Sequence, residues 1–174
     1  MTWTTPSTVV AGSTELTASL WNEQVRDNTS FLYTPPAVMV RRTSNLTSYT
    51  SNTAISWSDS YFDTDNMFSS GTDITIKTAG IYSCVLRGSA RGNATITRIL
   101  PRIFNGALSI ADEDMIVQAA VQASISLCVT TKFAVNDVIT ARVLFSGGSG
   151  YYLEGTANDA SNQTALSVVW LGSA

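Results

Sequence analysis

Beyond Pro36 the chain alternates apolar and polar residues with a period of two. In Asp73-Ile74-Thr75-Ile76-Lys77 the two isoleucines share one face. Over 81–90, Tyr82, Cys84 and Leu86 fall on one side and Ile81 and Val85 on the other. Ile125, Leu127, Val129 and Thr131 keep the same period. Such alternation predicts half-buried β-strands. Strands are expected over 37–43, 53–57, 73–77, 81–90, 93–104, 107–110, 115–133, 138–145, 151–154 and 164–171. Asn105-Gly106 is a strong hairpin signal, because both residues tolerate positive φ. Thr78-Ala79-Gly80, Val135-Asn136-Asp137 and Gly147-Gly148-Ser149-Gly150 read as turns. The stretch 119–123 has some helical propensity, but the period of two around it favours strand. No other helix signal follows Pro36, so this region reads as an antiparallel sandwich or barrel.

The first 34 residues have a different texture. Residues 1–16 read as extended and irregular, with turn residues Pro6, Gly12 and Ser13. Residues 17–33 read as a helix with Thr17 as N-cap. Leu20, Trp21, Gln24, Val25, Asn28, Phe31 and Leu32 recur at steps of three and four, which predicts one apolar stripe interrupted by Asn28. A helix this short is marginal alone and needs a partner surface. Thr34-Pro35-Pro36 ends it, since proline lacks the N–H and extends the residue before it. The expected organisation is therefore a docking leader over 1–34 and a β-domain over 37–174.

Composition narrows the function. Charged residues are 13% of the 174, about half the usual share, and Ser, Thr and Asn fill the gap. A surface poor in charge suits subunit contacts, where a buried Lys or Glu is costly. The net charge of −3 argues against nucleic-acid binding. Arg41-Arg42, the adjacent basic pair, reads as a strand edge. No run of about 20 apolar residues predicts membrane insertion. The N-terminus lacks a basic-then-apolar secretory signal, so synthesis in a cytoplasm is expected. Cys84 and Cys128 both sit in alternating patterns and read as buried small apolar side chains, with a disulfide between them as the alternative.

The chain has no histidine, which removes Ser-His-Asp and Cys-His catalysis and the usual proton shuttle. Two cysteines without histidine do not make a zinc site, and no phosphate-binding glycine loop is present. Asp63 with Asp65, and Asp112-Glu113-Asp114, could in principle support glycoside hydrolysis or hold Ca²⁺. Both sets read as solvated loop charge. No catalytic residue, metal or cofactor is therefore expected. Trp57, Phe62 and Phe68 read as packing or contact aromatics. In a strand Tyr151 and Tyr152 point to opposite faces, which exposes at least one of them.

Two stretches carry resemblances. Trp3-Thr4-Thr5-Pro6, Val10-Ala11-Gly12, Leu16-Thr17-Ala18-Ser19-Leu20-Trp21-Asn22 and Val25-Arg26-Asp27-Asn28 resemble the leader shared by many tailed-bacteriophage virion proteins. Ile55-Ser56-Trp57, Tyr61-Phe62-Asp63, Phe68, Ile74-Thr75-Ile76, Ala79-Gly80-Ile81-Tyr82, Phe133–Ile139 and Ser167–Gly172 resemble the jelly roll of the complement q-subunit and tumour necrosis factor superfamily. Asn136 stands where that superfamily commonly has glycine. The second resemblance implies a ten-stranded antiparallel jelly-roll sandwich that trimerises.

Together these readings describe a non-enzymatic virion protein: a short extended segment, one helix, and a jelly roll acting as a homotrimer. The leader would dock on other virion proteins through Trp3, Leu20, Trp21, Val25 and Phe31, since large apolar groups supply most interface energy. The first placement is a tail fibre or tail tip touching a host glycan or protein, with Asp63, Asp65, Tyr151 and Tyr152 as surface-binding candidates. A trimeric capsid decoration or head fibre is the alternative, and a carbohydrate-active enzyme the remote one.

Overall fold

The computed structural model describes residues 17–155 and 163–173. Helix α1 opens with an α-helical turn, Ala18–Trp21, widens into a π segment, Asn22–Asp27, and returns to α-helix over Asn28–Tyr33. Thr17 caps it: its extended backbone lets the hydroxyl accept from the Leu20 N–H at 3.1 Å. The helix ends at Thr34, just before the prolines.

The π segment changes which residues face the domain. A π turn carries one more residue than an α turn, so side chains after it are rotated away from the 3.6 periodicity. The expected single stripe is therefore split. Asn28 and Phe31 are buried, while Trp21, Val25, Leu32 and Tyr33 stay exposed.

Nine strands follow among the described residues: β1 Ala37–Arg41, β2 Asp59–Asp63, β3 Ile74–Thr75, β4 Gly80–Asn105, β5 Leu108–Asp112, β6 Met115–Phe133, β7 Val138–Ser146, β8 Tyr152–Leu153 and β9 Ala165–Gly172. Their pairings are antiparallel. The first half of β4 lies between β9 and β6, and β9 pairs β1, which pairs β2. The second half of β4 pairs β7 and β5, and β7 pairs β3. A register shift between Arg91 and Ile96 bends β4 from one sheet into the other. The fold is thus the expected two-sheet antiparallel jelly roll. Counting β4 once in each sheet gives ten strands, the expected number, though not all at the expected positions.

Two local readings change. Residues 53–57 form no strand; they run beside β7 through the Ala54–Arg142 bridge and the Ile55 N–H to Ala141 carbonyl bond. β2 was not expected. It is an edge strand with no fully buried residue, so it lacks the alternation that marks a half-buried one.

The core lies between the sheets. Val38, Val40, Tyr82, Cys84, Leu86, Leu166 and Val168 come from one sheet, and Ile99, Ile103, Ile139, Ala141 and Val143 from the other. Gly106, at φ +56, leads the two-residue loop joining β4 and β5. Asn136 adopts φ +72, a region asparagine tolerates better than most residues, which accounts for its standing in for glycine. Asp137 steadies that turn by accepting the Ala134 N–H at 2.9 Å.

The thiols diverge. Cys84 is buried and Cys128 exposed, and both are free. Cys84 pairs with Val129 and Cys128 with Val85, so alternation sends the two side chains to opposite faces of one sheet. Cys128 is therefore not the buried side chain expected.

Candidate functional site

The leader helix meets the sandwich at one end. The Phe31 ring lies edge to face with Trp170, centroids 4.9 Å apart at 88°. The Trp170 N–H donates to the Pro36 carbonyl at 2.9 Å, fixing the entry of β1 beside the end of β9. Phe31 is 1% exposed, so this expected docking anchor is occupied by the chain's own core. Leu20 is half-buried and Trp21 and Val25 are exposed; Trp3 lies outside the described residues.

The expected surface-binding residues divide between the two ends. Asp63 closes β2 opposite Val38, at the leader end. Its carboxylate accepts the Met67 N–H at 3.0 Å and the Phe68 N–H at 2.8 Å, with a longer bond from Asp65. Asp65 accepts from the Thr78 hydroxyl at 2.9 Å. Both carboxylates therefore organise turns. Asp112 and Asp114 face Arg102 and Arg98, as surface ion pairs do.

Tyr151 and Tyr152 lie at the far end. Tyr152 pairs with Arg91, eleven residues along β4 from Gly80 beside Trp170. At about 3.3 Å per residue that separates them from the leader contact by up to ~36 Å. Tyr151 stacks on Phe145 at 4.5 Å and 8°, and its hydroxyl donates to Gly147 O. The glycine loop at 147–150 uses φ of +72, +68 and +58 at Gly147, Gly148 and Gly150 to make the turn. Trp57 is buried, Phe68 half-buried and Phe62 exposed.

Outward positions of the first sheet form a broad face. Two successive cross-strand rows cross it: Ala37, Val169, Ser83, Thr130, then Met39, Ser167, Val85, Cys128. None of the eight is charged. The next row carries Arg41 and Arg87, and Lys132 lies toward the leader end. Arg41 is held by Asp59 through bonds of 2.8 and 3.1 Å, and its guanidinium lies 4.9 Å from the Tyr61 ring centre. Met39, Arg41, Tyr61, Arg87 and Gln163 line a half-open groove of about 190 Å³ there. Arg42 turns inward to donate to the Ser56 carbonyl at 2.8 Å. The basic pair thus serves the fold.

On the outer face of the second sheet, two guanidiniums cover one ring. Arg102 lies 4.8 Å and Arg142 4.2 Å from the centre of Phe104. The sequence reading missed this cluster, in which Arg142 lies 40 residues beyond Arg102 and meets Arg102 and Phe104 through register alone. The available signal was arginine at outward strand positions, where alternation puts residues 98, 102 and 104 on one face.

Among the described residues, no group of three or more Cys, Asp or Glu side chains is placed to hold a metal, and no helix is long and apolar enough to cross a membrane. No protein-family model matches the chain, and no curated protein matches it. Solved structures do. The globular domain of zebrafish complement 1qA protein aligns with TM-score 0.61 at 15% identity, covering 80% of this chain and 99% of that one. Murine APRIL aligns with TM-score 0.55 at 11% identity, covering 78% and 98%. At these identities the likeness concerns the fold: this chain has the jelly roll of those proteins.

Proposed function

We propose that the chain is a non-enzymatic structural protein of a bacteriophage virion, a homotrimeric surface appendage of the tail fibre or tail tip that contacts the host. The observation that carries the trimer is the uncharged outer face of the first sheet. Ala37, Met39, Val85, Val169 and their hydroxyl-bearing neighbours offer a flat surface whose burial desolvates no ion. The charge-poor composition supports the same reading.

The two ends suit different tasks. Trp21, Val25, Leu32 and Tyr33 expose apolar area on a helix whose fully buried side chains, among the described ones, are Asn28 and Phe31, as suits a docking element. Tyr151 and Tyr152 lie at the other end, where a molecule anchored by its leader presents itself outward. The virion placement rests on the leader residues Trp3–Pro6 and Val25–Asn28 and their resemblance to phage proteins.

Immunogold labelling of intact particles tests the placement, and incorporation of a Trp21→Ala/Val25→Asp variant tests the docking. Label on the tail with the variant absent from particles is expected. Label on the shell would transfer the same trimer to capsid decoration. A variant incorporated as well as the parent chain would overturn the docking role.

A further inference from the structure

We propose that Arg102, Arg142 and Phe104 form a binding site for a carboxylate or sulfate group of an acidic polysaccharide. The site lies on the second sheet, on the face turned away from the uncharged surface of the first. It needs neither the trimer nor the virion placement.

Arg102 and Arg142 are direct cross-strand partners on β4 and β7. Like charges placed opposite one another across a strand pair repel. The pair is nevertheless held in place, because both guanidiniums lie over the ring of Phe104, which is 6% exposed. Stacking on an aromatic ring orients a planar guanidinium and leaves its edge free to donate.

Neither cation is closely paired among the described residues. The nearest carboxylate oxygen to Arg102 is on Asp112 at 3.9 Å, too long for a hydrogen bond, and its remaining contact is a 3.4 Å bond from Nη1 to Asn52 Oδ1. Arg142 makes no ion pair among the described residues. Six buried side-chain polar atoms of the described residues lack a hydrogen-bond partner, and three of them meet here: Arg102 Nε, Arg142 Nε and Thr140 Oγ1. Thr140 is the cross-strand partner of Phe104. Buried donors are normally satisfied, so this cluster around paired cations leaves hydrogen-bonding capacity that no described residue uses.

Two oriented guanidiniums match the oxygens of one carboxylate or sulfate, each able to donate two parallel bonds. Thr140 and Asn52 add a hydroxyl and an amide beside them. An acidic sugar carries both kinds of partner, an anionic group and ring hydroxyls, in one rigid unit. General attraction of polyanions does not account for such binding, because the chain carries a net charge of −3.

The test measures binding of the purified full chain to immobilised polygalacturonate, dextran sulfate and neutral dextran at about 50 mM salt, where contacts between charges are less screened than at physiological salt. At least one anionic polymer should bind and neutral dextran should not. Binding to polygalacturonate alone identifies a carboxylate; binding to dextran sulfate alone identifies a sulfate ester. Arg142→Gln should weaken binding at least tenfold, and Asp112→Asn should tighten it severalfold by removing the competing carboxylate. No binding to either anionic polymer, or equal binding by R142Q, overturns the site. Should R142Q fail to fold by circular dichroism, D112N decides: unchanged affinity overturns the site as well.

Discussion

The Phe31 and Trp170 rings, edge to face at 4.9 Å, tie the leader helix to the last strand of the sandwich. The helix is thus part of the fold at Asn28 and Phe31 and exposed at Trp21, Val25 and Leu32. Phe31→Ala removes a fully buried ring and should lower stability by about 3–5 kcal/mol. Trp21→Ala, at an exposed position, should change it by less than about 0.5 kcal/mol. Urea unfolding of both variants checks the contrast; equal losses would mean that Trp21 is also packed on the domain.

Gly80 lies under the Trp170 ring. A Cβ there would fall inside contact distance of Trp170 Nε1 and sit 2.6 Å from the Gly172 carbonyl oxygen. The glycine of Ala79-Gly80-Ile81-Tyr82 is therefore required by close approach rather than by φ. Gly80→Ala should destabilise the chain by about 1–3 kcal/mol, with a shift in tryptophan emission, as overpacking does. A thermal melt matching the parent's would contradict the contact.

Asp63 accepts from the backbone N–H groups of Met67 and Phe68, so its carboxylate organises the connection leaving β2. Asp63→Ala leaves these donors unpaired and should lower stability by about 1–3 kcal/mol. Hydrogen exchange at Met67 and Phe68 should accelerate in the variant. Unchanged stability combined with lost host binding would restore a surface-binding role.

The two thiols should behave differently. Burial pushes the Cys84 thiol up to about 12 from an ordinary value of 9.0, while Cys128 is exposed. Folded protein kept monomeric by Val85→Glu should take one alkylating group at pH 8, at Cys128, and denatured protein two, while the trimer shields Cys128. The raised value also sets a direction for stability. The folded chain holds the Cys84 proton more tightly than the unfolded chain, so its contribution is intact below pH 9 and is lost as pH rises from 9 toward 12. Burial raises the Tyr49 and Tyr82 phenols too, which steepens the fall in the same direction. Urea midpoints at pH 8, 9.5 and 11 should decrease in that order.

The strands most legible in the sequence are those with one buried face. Tyr82, Cys84 and Leu86 announce theirs because every second residue enters the core. β2 stayed hidden, since Asp59-Ser60-Tyr61-Phe62-Asp63 lies at an edge and buries no residue fully. The single run of β4 was hidden for another reason: Arg91-Gly92-Asn93 has turn composition, yet it forms the bend between sheets. The π turn in α1 carries no sequence signature, so the exposure of Trp21 and Val25 on the same helix as buried Phe31 was not legible. Arg102, Phe104 and Arg142 could not be joined without the β4–β7 register. Local pattern specifies elements, whereas a site assembled across strands needs the pairing.

The uncharged outer face of the first sheet should be covered by sister copies, and sedimentation equilibrium of the full chain at micromolar concentration reads this directly. Three copies of an 18.6 kDa chain give about 56 kDa, and Val85→Glu, which puts a carboxylate in the middle of that face, should return the mass to that of one chain. An unaltered chain sedimenting as a single 18.6 kDa species would show that the face meets water and not a second subunit.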